Sequence, residues 1–571
     1  MIVESMSTTR IPFHWPSKVA SKPLVKPVLI VLATLFLLCF PLNQIPLSVS
    51  GIQHPAISTS FMLSVAMICF GGLEVARQHR FSLTKLTGWI ALSALLAVLP
   101  AFYLHANTSA ALWHTGLALL SLLLFITLQQ FSFNHVQRQY LLWLPLIAGW
   151  IFALPFVVPP LIEAFEHDAP YFLTVQRVGI AKNTTAMVLL TALALSAYLL
   201  ARTRAYKRTI ISQHIVLLLT PLMCITALMA LREPWLITFT LLVIALAQPF
   251  LFRFSPKLHH GLWNLVVFAA FVIAGQANWL PTSALFAERF SPNEWQILAQ
   301  TTALAKTAHF EGVGLGQLTL AQLQFGLSQG STLPIDTPYP SWLVATITEG
   351  GIAIWGSFAL LGGLIIKRIA DAPGGTRLML TAIILPSIVG IAATSFVSTN
   401  PVLALLFVVL VYWIDNLSAR YERINLTRVK LLAIGSTTLL ASSICLVVSS
   451  IYLGEQALRT YDISDNKLTQ YQTHPWWTSF YQQEAGKRAF LENVEHNDKR
   501  AQTTYLRQQI RHLSTRPAAE GYQSLIELAL LTGDREIAKQ IQQEASALFP
   551  YVTFQPNFSH FSASEPDAEK S

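Results

Sequence analysis

Residues 211–252 read ISQHIVLLLTPLMCITALMALREPWLITFTLLVIALAQPFLF, two apolar runs separated by the polar turn Leu231-Arg232-Glu233-Pro234. Each run approaches the roughly 20 residues that a helix needs to cross the hydrocarbon core of a bilayer. The stretch therefore predicts a helical hairpin within a membrane, and similar runs occur on both sides of it.

The composition of the whole chain agrees with this interpretation. Of the 571 residues, 53% are hydrophobic and only 12% are charged, whereas soluble domains carry about 25% charged residues. These values exclude a soluble enzyme and a disordered chain, and they indicate an integral membrane protein with lipids as partners. The net charge of +9 comes without a basic stripe of interleaved aromatic residues, so we expect no nucleic-acid partner. The four cysteines lie in apolar runs and are expected to be buried packing residues: Cys39, Cys69, Cys224 and Cys445.

The apolar runs divide the chain into membrane and soluble parts. They cover 27–43, 56–76, 86–104, 109–128, 140–162, 184–201, 211–231, 234–252, 261–279, 343–366, 379–397, 400–415 and 430–453. The predicted fold class is an all-α polytopic membrane protein with about 13 transmembrane helices. The predicted domains are an N-terminus (1–26), nine helices (27–279), a long loop (280–342), four helices (343–453) and a C-terminal helical domain (454–571).

Lysine and arginine residues set the predicted orientation, because they concentrate on the cytoplasmic side of a membrane. The N-terminus and every second loop after it are rich in both residue types, as in Arg202, Arg204, Lys207 and Arg208. The opposite loops hold far fewer, namely Arg177, Lys182, Arg232, Arg289 and Lys306. We therefore expect a cytoplasmic N-terminus. The loop 280–342 and, after thirteen spans, the C-terminal domain are expected outside, in the periplasm of a bacterium.

The C-terminal domain carries a pattern typical of a tetratricopeptide-like unit. Between Pro517 and Pro550 the sequence predicts two helices, a spacing of about one such repeat. The second, from Arg535 to Phe549, should bury one face, formed by Ile537, Ala538, Ile541, Ala545 and Leu548. A single unit cannot bury its apolar side alone, so we expect it to pack on the preceding segment (478–514) or on a partner.

Unusual polar residues and glycines gather on the predicted periplasmic side. Arg232 runs against the charge bias, and Glu349 lies inside an apolar run, where a carboxylate is costly and often functional. Between them come Arg289-Phe290-Ser291-Pro292-Asn293-Glu294-Trp295, the turn Gly312-Val313-Gly314-Leu315-Gly316, and Asp336-Thr337-Pro338-Tyr339-Pro340-Ser341-Trp342. The glycine run follows no strand, so a dinucleotide-binding motif is excluded.

In this order and spacing, the groups resemble the bacterial O-antigen ligase superfamily, specifically its pilin O-oligosaccharyltransferase branch. Leu231-Arg232 stands where the family has Ser-Arg after a hydrophobic span, and Glu349-Gly350-Gly351 is similar to its Glu-x-Gly. The segment from Trp295 to Gly316 is similar to its tryptophan helix and glycine turn. Arg177 through Ala186 is similar to its Gln-Pro-Asn-x-x-Ala segment without the Gln-Pro, and the tail from Arg516 to Pro550 resembles the branch's C-terminal helical domain.

The resemblance implies transfer of a glycan from undecaprenyl diphosphate to an acceptor hydroxyl at the periplasmic face of the inner membrane. The partners would be an undecaprenyl-diphosphate-linked oligosaccharide and a pilin-like acceptor protein, with no cofactor and no metal. Arg232, Arg289 and Arg177 would bind the donor diphosphate, since the guanidinium fork suits phosphate oxygens. Tyr339, Ser341, Gly314 and Gly316 would position substrates.

One position departs from the family. The family has a His-Asn or His-Ser pair nine residues before its glutamate, and here Pro340-Ser341 stands there. Glu349 is the substitute candidate for the general base, with a helix-packing carboxylate bonded to neighbouring backbone or to Arg289 as the alternative. The open alternatives for the whole protein are a lipopolysaccharide O-antigen ligase or polymerase and a diverged, non-catalytic relative.

Overall fold

The computed structural model describes residues 24–42, 55–103, 106, 108–163, 182–202, 211–276, 292–308, 311–328, 341–393, 402–426, 429–459, 470–472, 474, 477, 513, 519–531, 534–549 and 552–554. Apolar helices form the bulk of this part of the chain. They are α1 (Val25–Leu42), α2 (Pro55–Gln78), α3 (Lys85–Val98), α4 (Thr108–Gln130), α5 (His135–Glu163), α6 (Lys182–Arg202), α7 (Ile211–Ala230), α8 (Pro234–Phe254), α9 (Lys257–Gln276), α12 (Trp342–Ala370), α13 (Arg377–Ala393), α14 (Val402–Ser418) and α15 (Val429–Arg459). Two helices, α10 (Pro292–Thr307) and α11 (Leu318–Ser328), lie between α9 and α12, and α16 (Ala519–Leu531) and α17 (Arg535–Leu548) follow α15.

Among the described residues, 11 helices are long and apolar enough to cross a membrane, and two shorter apolar helices accompany them, Arg377–Ala392 and Ala404–Ser418. Each predicted apolar run coincides with one of these helices. The protein is therefore an all-α polytopic membrane protein, as the sequence predicted.

Helix α6 lies at the centre of the bundle. Over its membrane-spanning part, 94% of the residues are buried. Helices α5, α7, α8 and α13 pack around it. Small side chains permit close approach between membrane helices. On α5, Gly149 lies so near α6 that an added Cβ would come within 2.3 Å of the Ala192 Cβ. The centre thus depends on small residues, and a larger side chain at Gly149 would push α5 from α6.

A polar network ties several helices together at their predicted cytoplasmic ends. The Nε atom of Arg368 lies 3.0 Å from Oδ1 of the buried Asp415, and the Thr84 hydroxyl donates to Oδ2 at 2.9 Å. Beside this pair, β1 (Arg80–Thr84) and β2 (Tyr421–Asn425) form an antiparallel two-stranded sheet. The sheet was not predicted from the sequence, and it joins the α2–α3 loop to the α14–α15 loop.

The C-terminal helices form the predicted hairpin. Leu513 packs against α16 and α17, so the preceding segment supplies part of the apolar cover. Ala538, Ile541 and Ala545 are buried as predicted, but Ile537 is 40% exposed. Its assignment to the buried face was wrong, because Ala538, Ile541 and Ala545 define that face. Ile537 precedes Ala538 by one residue and lies to the side of that face.

Among the residues described after α15, Tyr471 and Trp477 pack back on that helix. The Trp477 ring is fully buried, and its Nε1–H donates to the Ser450 hydroxyl at 3.0 Å. The Tyr471 hydroxyl donates to the Leu453 carbonyl at 2.9 Å. On the same helix Cys445 is exposed, so the expectation of burial was wrong for this cysteine. The other three cysteines are buried.

Candidate functional site

The glycine turn 312–316 docks on a kink near the start of α12. Within this helix Gly351 has φ +62° and ψ −146°, which interrupts the helical path. A break of this kind leaves carbonyl groups that need other donors. The turn provides them, because the Val313 N–H donates to the Thr348 carbonyl at 3.0 Å and the Gly314 N–H donates to the Glu349 carbonyl at 2.9 Å.

This docking requires glycine at alternate positions of the turn. Gly312, Gly314 and Gly316 have φ values of +88°, +98° and +74°, a region that side-chain-bearing residues rarely adopt. At Gly312 the space is also closed, since an added Cβ would lie 2.4 Å from the Glu349 carbonyl oxygen and 2.7 Å from the Gly351 nitrogen. The backbone of the turn therefore touches the backbone of α12 directly.

The Glu349 side chain reaches back to the same turn. Its carboxylate accepts hydrogen bonds from the backbone N–H groups of Gly316 and Leu318. Leu318 is the first residue of α11, and the N-terminus of a helix favours a negative charge. The carboxylate thus caps α11 and links it to α12. The N–H groups of Gly314 and Gly316, two of the predicted substrate-positioning residues, are both engaged within this arrangement.

Ser341 holds the beginning of α12. Its hydroxyl accepts a hydrogen bond from the Val344 N–H at 3.3 Å, as a helix N-cap does, and donates to the Ala392 carbonyl at 2.5 Å. Through this second bond, Ser341 fastens the start of α12 to the end of α13. The hydroxyl thus uses its one donor and one of its acceptor positions within the fold.

Arg232 occupies the turn between α7 and α8 in a strained conformation. Its φ is +56°, and its N–H donates to the Met229 carbonyl at 3.0 Å to close the last turn of α7. Glycine is the usual residue at such a helix end. The side chain is exposed, and it makes no hydrogen bond or ion pair with any residue that the structure describes. A solvent-facing guanidinium is thus held at a site where a side chain costs about 1–3 kcal/mol.

The structure brings some of the predicted site residues together and leaves others apart. Glu349, Gly314 and Gly316 form one cluster, and Ser341 lies at the start of the same helix. Arg232 lies on the same predicted side, because α8 and α9 lead the chain inward and out again before α12 begins. Within the described ranges no hydrogen bond joins Arg232 to the cluster. Arg177, Arg289, Tyr339 and Pro340 fall outside the described residues.

Sequence reasoning missed two residues on which the cluster depends, Gly312 and Gly351. Both have positive φ values and lie at the contact between turn and helix. The signals were present as the first glycine of the spaced run and the second of Gly350-Gly351, but only the contact between distant segments reveals their role. Among the described residues no group of three or more His, Cys, Asp or Glu side chains could hold a metal ion.

Part of the chain matches a known protein family. Residues 400–562 match the family described as the C-terminal part of the virulence factor membrane-bound polymerase. The matched region includes α14, α15 and the C-terminal hairpin. No curated protein matches the chain. The match covers less than half of the chain, and over that part the protein is similar to a membrane-bound polymerase.

Proposed function

We propose that the protein transfers a glycan from undecaprenyl diphosphate to an acceptor hydroxyl at the periplasmic face of the bacterial inner membrane. In this reaction the acceptor oxygen attacks the anomeric carbon of the glycan, and the bond from that carbon to the diphosphate oxygen breaks. The acceptor proton passes to a base, and undecaprenyl diphosphate leaves as an anion. The observation that carries the proposal is Arg232, which combines a strained backbone with an exposed guanidinium. It lies on the same predicted side as the Glu349 cluster.

An arginine suits the leaving group because it stays charged and binds phosphate oxygens with two parallel hydrogen bonds. Arg232 lies at the end of a membrane helix, the depth at which a lipid diphosphate would sit. Backbone strain is retained mainly where the surrounding structure gains from it. Arg289 and Arg177 are proposed as further contributors to the same anion site, and Tyr339 is proposed to orient a sugar.

The proposed acceptor is a Ser or Thr hydroxyl of a pilin-like protein. The C-terminal helical hairpin supports this choice, since it follows the predicted periplasmic end of α15 along the chain and supplies a surface for a protein partner. A second candidate is polymerisation, in which the acceptor is the glycan of another lipid-linked molecule. The match to a membrane-bound polymerase family favours this alternative, and it needs the same donor site.

The test is co-expression of the full chain with a pilin in a bacterium that supplies a lipid-linked oligosaccharide. A pilin mass gain of one glycan supports the proposal. An unchanged pilin beside a ladder of longer lipid-linked glycans supports polymerisation. If neither product formed while the protein was present in the membrane, both candidate functions would be contradicted. A non-catalytic relative would then remain.

We expect transfer to persist when divalent cations are removed. In the proposed reaction, arginine side chains neutralise the charge on the leaving diphosphate, so no metal ion is needed for that purpose. Membranes with the protein, the lipid-linked donor and a purified pilin would be assayed with and without EDTA. Full loss with EDTA, restored by one added cation, would overturn this expectation.

Glu349→Gln separates the two roles open to Glu349. We propose that the carboxylate mainly holds the glycine turn, because its two hydrogen bonds come from backbone N–H groups. An amide offers one acceptor oxygen and no charge, so the variant should lose about 1–3 kcal/mol of stability. Amide hydrogen exchange over 311–318 should speed up, and transfer should fall with it. Loss of transfer with unchanged exchange and unchanged stability would instead identify Glu349 as the general base.

A further inference from the structure

A groove in the membrane-spanning part of the protein has no role in the arrangement described so far. It has a volume of about 310 Å³ and lies between α3, α4, α12, α13 and α14. Apolar side chains form most of its wall. Few residues of α3, α4 and α12 are fully buried, and the groove is open at the surface of these helices. It can therefore be reached from the space that lipid chains fill.

The outer end of the groove adjoins the candidate site. Its wall includes Trp342 and Leu343, the first residues of α12, and Ala392, whose carbonyl accepts the Ser341 hydrogen bond. Glu349 follows two turns along the same helix, about 10 Å away at 1.5 Å per residue. From this end the groove extends inward along α12 to Gly362 and Ile365.

One polar atom on the groove wall has no hydrogen-bond partner among the described residues. Deep in the groove Ser93 and Ser357 satisfy each other, with their hydroxyl oxygens 3.0 Å apart. Near the outer end, the His114 ring bonds the Ala97 carbonyl through one nitrogen. Its other nitrogen, Nε2, is buried and makes no hydrogen bond to any part of the chain that the structure describes. An imidazole with one nitrogen fixed in this way presents the second to a ligand.

We propose that this groove holds the hydrocarbon chain of the lipid-linked donor, with His114 Nε2 contacting an oxygen of the head group. The proposed function supplies the choice of lipid. The geometry supports it because the apolar wall suits a hydrocarbon chain, the unpaired nitrogen lies at the outer end, and that end adjoins the helix that carries Glu349. The anionic head group itself favours the doubly protonated ring, in which Nε2 donates to a phosphate oxygen.

Two neighbouring glycines offer a matched test. Gly362 lines the groove, whereas Gly363 is exposed on the outside of α12, and an added Cβ meets nothing within 4 Å at either position. Gly362→Trp should fill the groove and lower occupancy by undecaprenyl diphosphate about tenfold or more, and Gly363→Trp should leave it unchanged. Occupancy would be measured by native mass spectrometry of the full chain released from detergent micelles.

His114→Leu tests the head-group contact without filling the groove. Loss of one hydrogen bond to a charged group should weaken binding of undecaprenyl diphosphate about tenfold. Equal occupancy in Gly362→Trp and Gly363→Trp would overturn the proposal that the groove holds the lipid chain. Unchanged binding in His114→Leu would overturn the proposed contact of His114 with the head group. If Gly362→Trp lowered the occupancy of dioleoyl phosphatidylglycerol as much as that of undecaprenyl diphosphate, the groove would be assigned to bulk phospholipid instead. Groove-dependent binding without transfer to a pilin or a second lipid-linked glycan would contradict the proposed function alone.

Discussion

Arg232→Ala is expected to lower glycan transfer about 100- to 1000-fold, the usual effect of removing one preorganised donor from a developing anion. The folded protein should not lose stability by the change, since the side chain is exposed and makes no hydrogen bond or ion pair with a described residue. Arg232→Lys keeps a charge but loses the bidentate fork, so it should recover only part of the rate. The measurement is pilin mass in the co-expression assay, with the amount of protein in the membrane as reference.

Arg232→Gly makes this test sharper because it separates fold from function. Glycine adopts a φ of +56° without the cost that a side chain pays, so stability should stay level or rise by about 1 kcal/mol. Transfer should nevertheless fall as far as in the alanine variant. His79→Gly is the matched control, since His79 has a φ of +53° on the predicted cytoplasmic side. It should gain the same stability and keep full transfer. If Arg232→Gly retained transfer, the donor-binding role would be wrong.

Gly312→Ala is expected to undock the glycine turn and reduce transfer about 100-fold. The new Cβ would lie 2.4 Å from the Glu349 carbonyl oxygen, so turn and helix must separate by about 1 Å to reach ordinary contact. A displacement of that size in a catalytic arrangement can cost about 100-fold in rate. Faster amide exchange at Val313 and Gly314 would report the loss of their bonds to α12.

Gly375→Ala controls for backbone strain. Gly375 has φ +90°, and the atoms nearest to its added Cβ are the end of the Arg253 side chain at 3.0 Å and the Phe254 ring at 3.2 Å. Both side chains are exposed and can move aside. This variant should carry a similar conformational cost and leave both transfer and the exchange of 311–318 unchanged. Equal losses in both variants would mean that strain alone, and not the contact with α12, explains the effect of Gly312→Ala.

The membrane helices could be predicted because length and apolar character alone decide them. Arg232 and Glu349 could be singled out for a related reason, since a charge in an apolar setting is visible in the sequence. The two-stranded sheet could not, because β1 and β2 are short, polar and far apart along the chain. The positive φ of Arg232 and the bonds to the Glu349 carboxylate were also hidden, since they arise from packing between segments with no pattern in common.

The direct backbone contact at Gly312 has a consequence for how such sequences change over time. On their own the glycines of the turn lower the stability of the folded protein, since each adds conformational freedom to the unfolded state. They are favourable only because they let the turn pack against Glu349 and the kink at Gly351. The Glu349 carboxylate in turn loses the Gly316 N–H as a donor when the turn is displaced. Relatives that lose one of these residues are therefore expected to lose the others, so that two motifs separated by a long loop are inherited as a single character.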